Sequence, residues 1–556
     1  MIAQSIIPCP QPALKSNPYG ETASRLWVAG RGIGLLLFFL MMCGSAVSAQ
    51  IYSDLYEFGG APDGCCPQYP MVMAQAGDGN VYGVTSTGGS NNVGVVFKIS
   101  PSGGYSAIYN FDTVHGSTPV GGLTLGTDGQ LYGTTQLGGA NGDGNIFKVT
   151  TAGAFTVLYD FTGAADGGFP VAPLTLALDG NFYGTSYPGY AFRMTPDGVF
   201  SVIGAIPAAS YGPLLQASDR NFYGVTQFGG TFSAGTVYQI AGTRVTTLYN
   251  FDGPHGADPI GGLVEGTDGY LYGTTTAGGG SNAGVVYRIT TAGDLTVVVD
   301  FDSVHDQPGY QTYAGLVAAN DGNLYGATIF GGLNDAGTLF QLTTDGTYTV
   351  LYNFDPLSLD GAYATPMQHT TGVLFGMTKR GGALGKGGIY SLDDGVAPYV
   401  SLVSPGGRVG MELGILGQGF STASSVEFNG TPASFRVASD TFLQATVPSG
   451  ETGFVTIHTS SGTLFSKQIF KVTPQITGFS PIYGTPGTQV ILTGAGLIQT
   501  ENITVGGVKV TAYTVNSDTK LTFPIPAGAK TGNIVVTTPG GIAAGNQIFT
   551  LPAWTP

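Results

Sequence analysis

Short runs in which apolar and polar residues alternate, bounded by Gly, Asp or Asn, fill the chain from residue 51 to about 393. Alternation with a period of two marks strands that bury one face. One run, Gln130-Leu131-Tyr132-Gly133-Thr134-Thr135, recurs around Tyr82, Tyr183, Tyr223, Tyr272, Tyr325 and Phe375, with the aromatics 50, 51, 40, 49, 53 and 50 residues apart. An Asp-Gly pair precedes most copies, as at Asp78-Gly79, Asp128-Gly129, Asp179-Gly180, Asp268-Gly269 and Asp321-Gly322. A period near 50 that holds several short strands predicts a propeller or a solenoid.

Each unit reads as four strands. In the second, strand a is expected at 122–126, strand b at 131–135, strand c at 146–150 and strand d at 155–159. The strand-c aromatics Phe97, Phe147, Tyr238, Tyr287, Phe340 and Tyr390 each follow their strand-b aromatic by 15 residues. The third unit departs, with Phe192 nine after Tyr183 and a shortened loop at Tyr187-Pro188-Gly189. Glycine inside strand b weakens a strand, so its return in all seven copies points to close packing. Residues 51–58 match strand d, and the seventh unit lacks a good strand d of its own. An N-terminal strand that completes the last unit removes sheet edges, which favours a closed ring over an open solenoid. The fold expected is therefore all-β: a seven-bladed propeller closed by an N-terminal strand, followed by two immunoglobulin-like β-sandwiches. Turns a–b and c–d are tight and emerge at one end of each sheet. Loops b–c and d–a are longer and emerge at the other, the end where binding is expected.

After Asp394 the period stops. Segments 395–473 and 474–556 share a plan of short strands separated by Gly- and Pro-rich turns, as in Leu416-Gly417-Gln418-Gly419-Phe420 and Leu492-Thr493-Gly494-Ala495-Gly496-Leu497. That spacing reads as two small sandwiches, and neither holds cysteines.

The repeats, with Gly121-Gly122-Leu123, Asp128-Gly129-Gln130-Leu131-Tyr132-Gly133-Thr134-Thr135, Gly138-Gly139 and Leu158-Tyr159-Asp160-Phe161, resemble the GloVer tandem repeat of secreted bacterial proteins over about residues 51–393. Both C-terminal segments resemble the IPT/TIG immunoglobulin-like domain. The first resemblance implies an exported surface protein with varied anchoring modules, and carries no catalytic residues over. The second implies adhesion, spacing or protein binding.

Composition narrows the class. With 42% hydrophobic and only 10% charged residues the chain is not of the disordered type. Lys15, Arg25 and Arg31 precede or flank an apolar run at 33–43 and the small residues Ala46-Val47-Ser48-Ala49, so residues 1–49 read as a signal peptide cleaved after Ala49. A lipoprotein site at Cys43 is the weaker reading. Cleavage removes those three positive charges and the negative Glu21, taking the net charge from −15 to −17. Such a surface repels nucleic acid and anionic lipid. No further span follows, so a secreted or cell-surface location, outside the bacterial cytoplasm, is expected. Only Cys65 and Cys66 remain, as a vicinal disulfide or as two loop thiols.

Candidate chemistry is sparse. His115, His255 and His305 occupy equivalent d–a loops, each after a Phe-Asp pair. Equivalent points on different blades lie far apart, so turn residues explain them better than a metal does. Asn141-Gly142-Asp143-Gly144-Asn145 lacks the full pattern of a calcium loop. Phe228 and Phe232, and Phe330 with Asn334, suit either sugar stacking or packing between blades. No catalytic, cofactor or metal residues are assigned and no cofactor is expected. The expectation is a non-enzymatic surface or extracellular binding or adhesion protein, with a glycan- or protein-binding face carried on an immunoglobulin-like stalk. A polysaccharide-degrading hydrolase or lyase, and a self-associating coat or matrix protein, are the alternatives.

Overall fold

Alternation at this period does give strands. The computed structural model describes residues 50–68, 71–303 and 309–552, and these are β-structure and loops apart from one 3-10 turn at Phe420–Thr422. Residues 1–49, read above as a signal peptide, His305 and the last four residues lie outside the described residues. In the second unit strands a to d are Leu123–Leu125, Leu131–Thr135, Asn145–Val149 and Phe155–Asp160, forming one antiparallel sheet in that order. Six sheets follow this plan. In the sheet of the last unit the outer strand is N-terminal: Ile51–Glu57 pairs antiparallel with Gly388–Asp393.

The repeated glycine of strand b has a steric cause. In every unit it faces the strand-c aromatic across the sheet, from Gly83 opposite Phe97 to Gly376 opposite Tyr390. A Cβ on Gly133 would stand 2.7 Å from Phe147 Cζ, and one on Gly326 would stand 2.4 Å from Phe340 Cζ. The rings are buried and fill the space that a side chain on strand b would take. Strand a also runs tight. The Val72 N–H donates to Gly121 O at 3.4 Å, the Leu123 N–H to Val72 O at 3.1 Å, and the Thr365 N–H to Met71 O at 3.2 Å.

The Asp-Gly turn is likewise structural. The Asp carboxylate accepts a hydrogen bond from the tyrosine hydroxyl four residues on: Asp78 from Tyr82 at 2.7 Å, Asp128 from Tyr132 at 2.9 Å, Asp219 from Tyr223 at 2.6 Å and Asp268 from Tyr272 at 2.7 Å. Burial, then the carboxylate, push the phenols of Tyr223 and Tyr272 up to about 12. In the seventh unit both partners change together, to Thr371 and Phe375. Neither a carboxylate nor a hydroxyl is left without the other.

The C-terminal segments each hold two four-stranded sheets of matching strand order around their own apolar core. They do not extend away from the repeats as a stalk would. Both touch the tight-turn ends of the sheets. Gly77 O accepts from Ser439 Oγ and Thr441 Oγ1, each at 2.9 Å, and Ser218 O accepts from Lys471 Nζ at 3.1 Å. Further on, the Arg220 guanidinium donates to the carbonyl of Thr538.

Arg220 stands where the other units have glycine, and it keeps the left-handed backbone, φ 72°, beside 76° at Gly129. That conformation costs a non-glycine residue about 1 kcal/mol. The arginine occupies a strained site and reaches the last sandwich. Arg220→Gly should therefore leave the unfolding midpoint of the repeats unchanged or slightly raised. Amide exchange at residues 538–541 should quicken roughly fivefold, as befits a charged hydrogen bond that is partly screened by solvent. Unchanged exchange would show that the anchor is idle.

His369 lies in the same contact zone and is 1% exposed. Nε2 donates to Gly79 O at 3.0 Å while Nδ1 accepts from Thr371 Oγ1 at 2.9 Å, which defines the neutral ring. Burial holds its pKa below the usual 6.5, with the carbonyl opposing. The unfolded imidazole therefore takes up its proton first as pH falls. The stabilisation is complete above about pH 6.5 and is lost progressively below it. Between pH 7.5 and 5.5 the wild type should lose up to about 1.4 kcal/mol more than His369→Gln, which keeps the donor, in paired denaturant titrations. Equal losses in the two proteins would remove His369 from the acid response.

Candidate functional site

At the other end of the sheets the long loops interlock. In five units the d–a loop sends a backbone N–H to the b–c loop of the unit before it: Thr118 to Val93 O at 2.9 Å, Phe169 to Asp143 O at 2.7 Å, Asp258 to Ala234 O at 2.9 Å, Gln311 to Ala283 O at 2.9 Å and Gly361 to Ala336 O at 3.1 Å. Cys66 makes the same bond to Lys386 O at 3.2 Å. These six residues share a left-handed backbone with φ between 48° and 67°, and only one of them is glycine. Such strain persists where the surroundings over-determine it, and here the neighbouring loop does so. The outcome is one backbone step repeated from sheet to sheet, displaying different side chains.

The third unit breaks the series. Only residues 187–189 join its strands Phe182–Ser186 and Tyr190–Met194, whereas 136–144 join the corresponding strands of the second unit. Where other units have a long loop, a cavity of about 230 Å³ opens, lined by Gln136, Phe169, Val171, Tyr187, Ala209, Ser210 and Tyr211. The Tyr187 N–H donates to Gly168 O at 2.8 Å and the Gly168 N–H to Tyr187 O at 3.0 Å, which fixes the two loops against each other. The rings of Phe169 and Tyr187 meet edge to face at 6.4 Å, and Tyr187 is 55% exposed. The Gln136 N–H donates to Thr118 O at 3.1 Å, holding that wall. No Asp, Glu, Lys, Arg or His lines the cavity. A second hollow of about 210 Å³, which includes Gly77, Asp78, Val403 and Phe442, lies between the tight turns and the first sandwich and follows from their docking.

The described residues among those singled out by sequence do not converge. His115 Nδ1 lies 3.0 Å from Asp112 Oδ2, and His255 Nδ1 lies 2.8 Å from Asp252 Oδ2, each within its own loop. Slight burial works against the Asp112 carboxyl, but hydrogen bonds from His115 hold it below the usual range. Among the described residues no three His, Cys, Asp or Glu side chains gather as a metal site. Asn334 Nδ2 donates to Phe354 O at 2.9 Å, as Asn141 does to Phe161 O at 2.8 Å, so this asparagine is a loop fastener. Phe330 lies between Tyr310 at 5.6 Å and the Arg380 guanidinium at 5.2 Å. Phe228 and Phe232, 51% and 62% exposed, lie on the b–c loop of the fourth unit and outside the cavity lining. Cys65 and Cys66 are joined as a vicinal disulfide. The cavity residues Gln136, Phe169, Tyr187, Ser210 and Tyr211 carry no motif. The signal for them is the shortened spacing of the third unit.

Repeated antiparallel sheets with this loop architecture place the chain among all-β tandem-repeat proteins. It belongs to the Gloeobacter/Verrucomicrobia repeat family, which it matches over residues 45–192 and 186–390. Residues 474–551 are an IPT/TIG domain. No curated protein matches the sequence. Among solved structures it is similar to the surface glycan-binding protein PbSGBP-B from Prevotella bryantii, with 21% identity, 28% of this chain, 39% of that one and a TM-score of 0.21. It is also similar to the extracellular domain of a Bacteroides thetaiotaomicron hybrid two component system, with 12% identity, 89% of this chain, 66% of that one and a TM-score of 0.42. A gluconolactonase from Xanthomonas campestris is a third, with 14% identity, 61% of this chain, 99% of that one and a TM-score of 0.34. The chain spans about two fifths of the length of the glycan-binding protein. At scores this low the likenesses carry no argument about function. No helix among the described residues is long and apolar enough to cross a membrane.

Proposed function

We propose that this is an exported, non-enzymatic binding protein of the cell surface or extracellular space. In this reading residues 50–394 form a closed seven-bladed propeller, with 395–473 as a first IPT/TIG-like domain and 474–556 as the second. The propeller presents its long-loop end to a glycan or a protein. The two sandwiches brace the tight-turn end and lead to the attachment point.

The observation that carries the reading is the aromatic-walled cavity at the long-loop end, away from the docked sandwiches. Function gathers on loops held by a rigid scaffold, and a concave site with a few polar groups is where a ligand is expected. Export is supported by the leader-like segment 1–49 and by the Cys65–Cys66 disulfide, a bond that persists in oxidising compartments. The turn carboxylates are occupied by tyrosine hydroxyls, which supports binding over acid–base chemistry.

The test is a glycan-array and surface-protein capture screen of the exported chain, with product analysis of every polysaccharide that binds. Binding without shortening of the polysaccharide is expected. Shortened products would establish an enzyme in its place, and self-association without any ligand would establish a coat or matrix protein.

A further inference from the structure

We infer that the cavity between the second, third and fourth units takes a single uncharged sugar ring of an oligosaccharide, stacked on Tyr187. This rests on the binding-protein reading and adds the ligand class, the place and the residues.

Size comes first. About 230 Å³ falls below the range of about 300–1,000 Å³ that holds drug-sized ligands, so the cavity suits about one ring and leaves the remainder of a chain in solvent. Chemistry comes second. A pyranose has a face of C–H bonds and a rim of hydroxyls. The cavity offers flat aromatic surface from Phe169, Tyr187 and Tyr211 and the amide of Gln136, while the buried Ser210 hydroxyl donates to Gly212 O at 3.4 Å. Aromatic faces are electron-rich and attract polarised C–H groups, while amides and hydroxyls both donate and accept. Charge comes third. The lining holds no ionic group, and the chain as a whole carries −15, so uronic acids and sulfated or phosphorylated sugars meet repulsion with nothing to pair with.

Two further features set this place apart from its counterparts. Phe169 holds φ 48°, a conformation that is uncommon for any residue other than glycine and a marked outlier for a bulky one. At the equivalent step five other units carry Cys66, Thr118, Asp258, Gln311 and Gly361. An aromatic ring is thus held on strained backbone only where the neighbouring loop is cut short. Tyr187, more than half exposed, stands at the opposite wall, and the edge-to-face contact with Phe169 sets its plane. A large aromatic kept this open contributes little to the fold and much to a ligand that covers it.

The inference is tested by calorimetric titration of the exported chain with laminarihexaose, mannohexaose, xylohexaose and cellohexaose, and with oligogalacturonate and oligoalginate as acidic probes. At least one neutral hexaose should bind and neither acidic probe should. Tyr187→Ala should weaken that binding tenfold or more, Tyr187→Phe should stay within about threefold, and Phe232→Ala, on a neighbouring loop, should match the wild type. Unchanged circular dichroism in each variant confirms that the fold is intact. Neutral binding that survives Tyr187→Ala would overturn the cavity assignment while leaving the binding-protein reading in place. Binding confined to the acidic probes, or to none of the six, would overturn the ligand class. Shortened hexaose products together with Tyr187 dependence would keep the sugar contact and overturn the binding-protein reading.

Discussion

Gly326→Ala should lower the stability of the repeat unit by about 3 kcal/mol, the upper range for forcing a methyl group into a filled core. The new Cβ would stand 2.4 Å from Phe340 Cζ and 2.7 Å from Leu316 Cδ2, both belonging to buried side chains. Neither neighbour can retreat, because Phe340 faces Gly326 directly in the strand register. The backbone at Gly326 is ordinary, so the penalty is steric. Gly129→Ala is the contrast: nothing lies within 4 Å of its Cβ position, but φ is 76°. It should cost only about 1 kcal/mol, from backbone strain. Pairing Gly326→Ala with Phe340→Leu, which shortens the ring, should recover at least about 1 kcal/mol relative to the sum of the two single changes. Denaturant midpoints of the four proteins decide the matter. Strict additivity would mean that the ring does not rest on the glycine.

Deleting residues 50–58 should abolish cooperative unfolding of the repeats and lead to association in size-exclusion chromatography. Phe58 is buried, Tyr52 stacks on Tyr352 with ring centres 3.6 Å apart, and Tyr56 stacks on Tyr105 at 3.9 Å. The strand thus joins the sheet of the last unit to aromatics of the sixth and first. Three aromatic side chains at about 2 kcal/mol each contribute roughly 6 kcal/mol, against a net stability of about 5–15 kcal/mol for a typical domain. Removal also bares Gly388–Asp393 as an edge strand, a template for pairing with another chain. A monomeric truncated protein with an unchanged midpoint would show that the N-terminal strand is dispensable.

Much of the fold was legible because its causes are local. Strand b of the second unit falls at 131–135 as the alternation and the Asp-Gly turn require, and strands a, c and d lie within a residue of expectation. The match of residues 51–58 to strand d foretold the pairing of Ile51–Glu57 with the last unit, since a lone strand and a sheet lacking its outer strand satisfy each other's backbone groups. Within the described loops, Asp112 meets His115 and Asp252 meets His255 three residues apart, contacts that a local pattern can carry.

The stalk and the site were not legible in the same way. Arg220 replaces a turn glycine, which is visible along the chain, but the carbonyl it reaches lies 318 residues away. Which of the exposed aromatics could serve a ligand depended on what stands beside them. Asn334 bears on a neighbouring backbone carbonyl and Phe330 packs between Tyr310 and Arg380, whereas Tyr187 is left exposed by a loop too short to cover it. The sequence by itself determined the repeats, the strands and the fastening of the turns, since each depends on residues a few positions apart or directly opposed in register. The shortened loop of the third unit is visible along the chain, but the docking of the sandwiches on the tight turns and the meeting of Gln136, Phe169, Tyr187 and Tyr211 around one cavity were decided by tertiary structure. Both bring together residues far apart along the chain, and no local pattern encodes that distance.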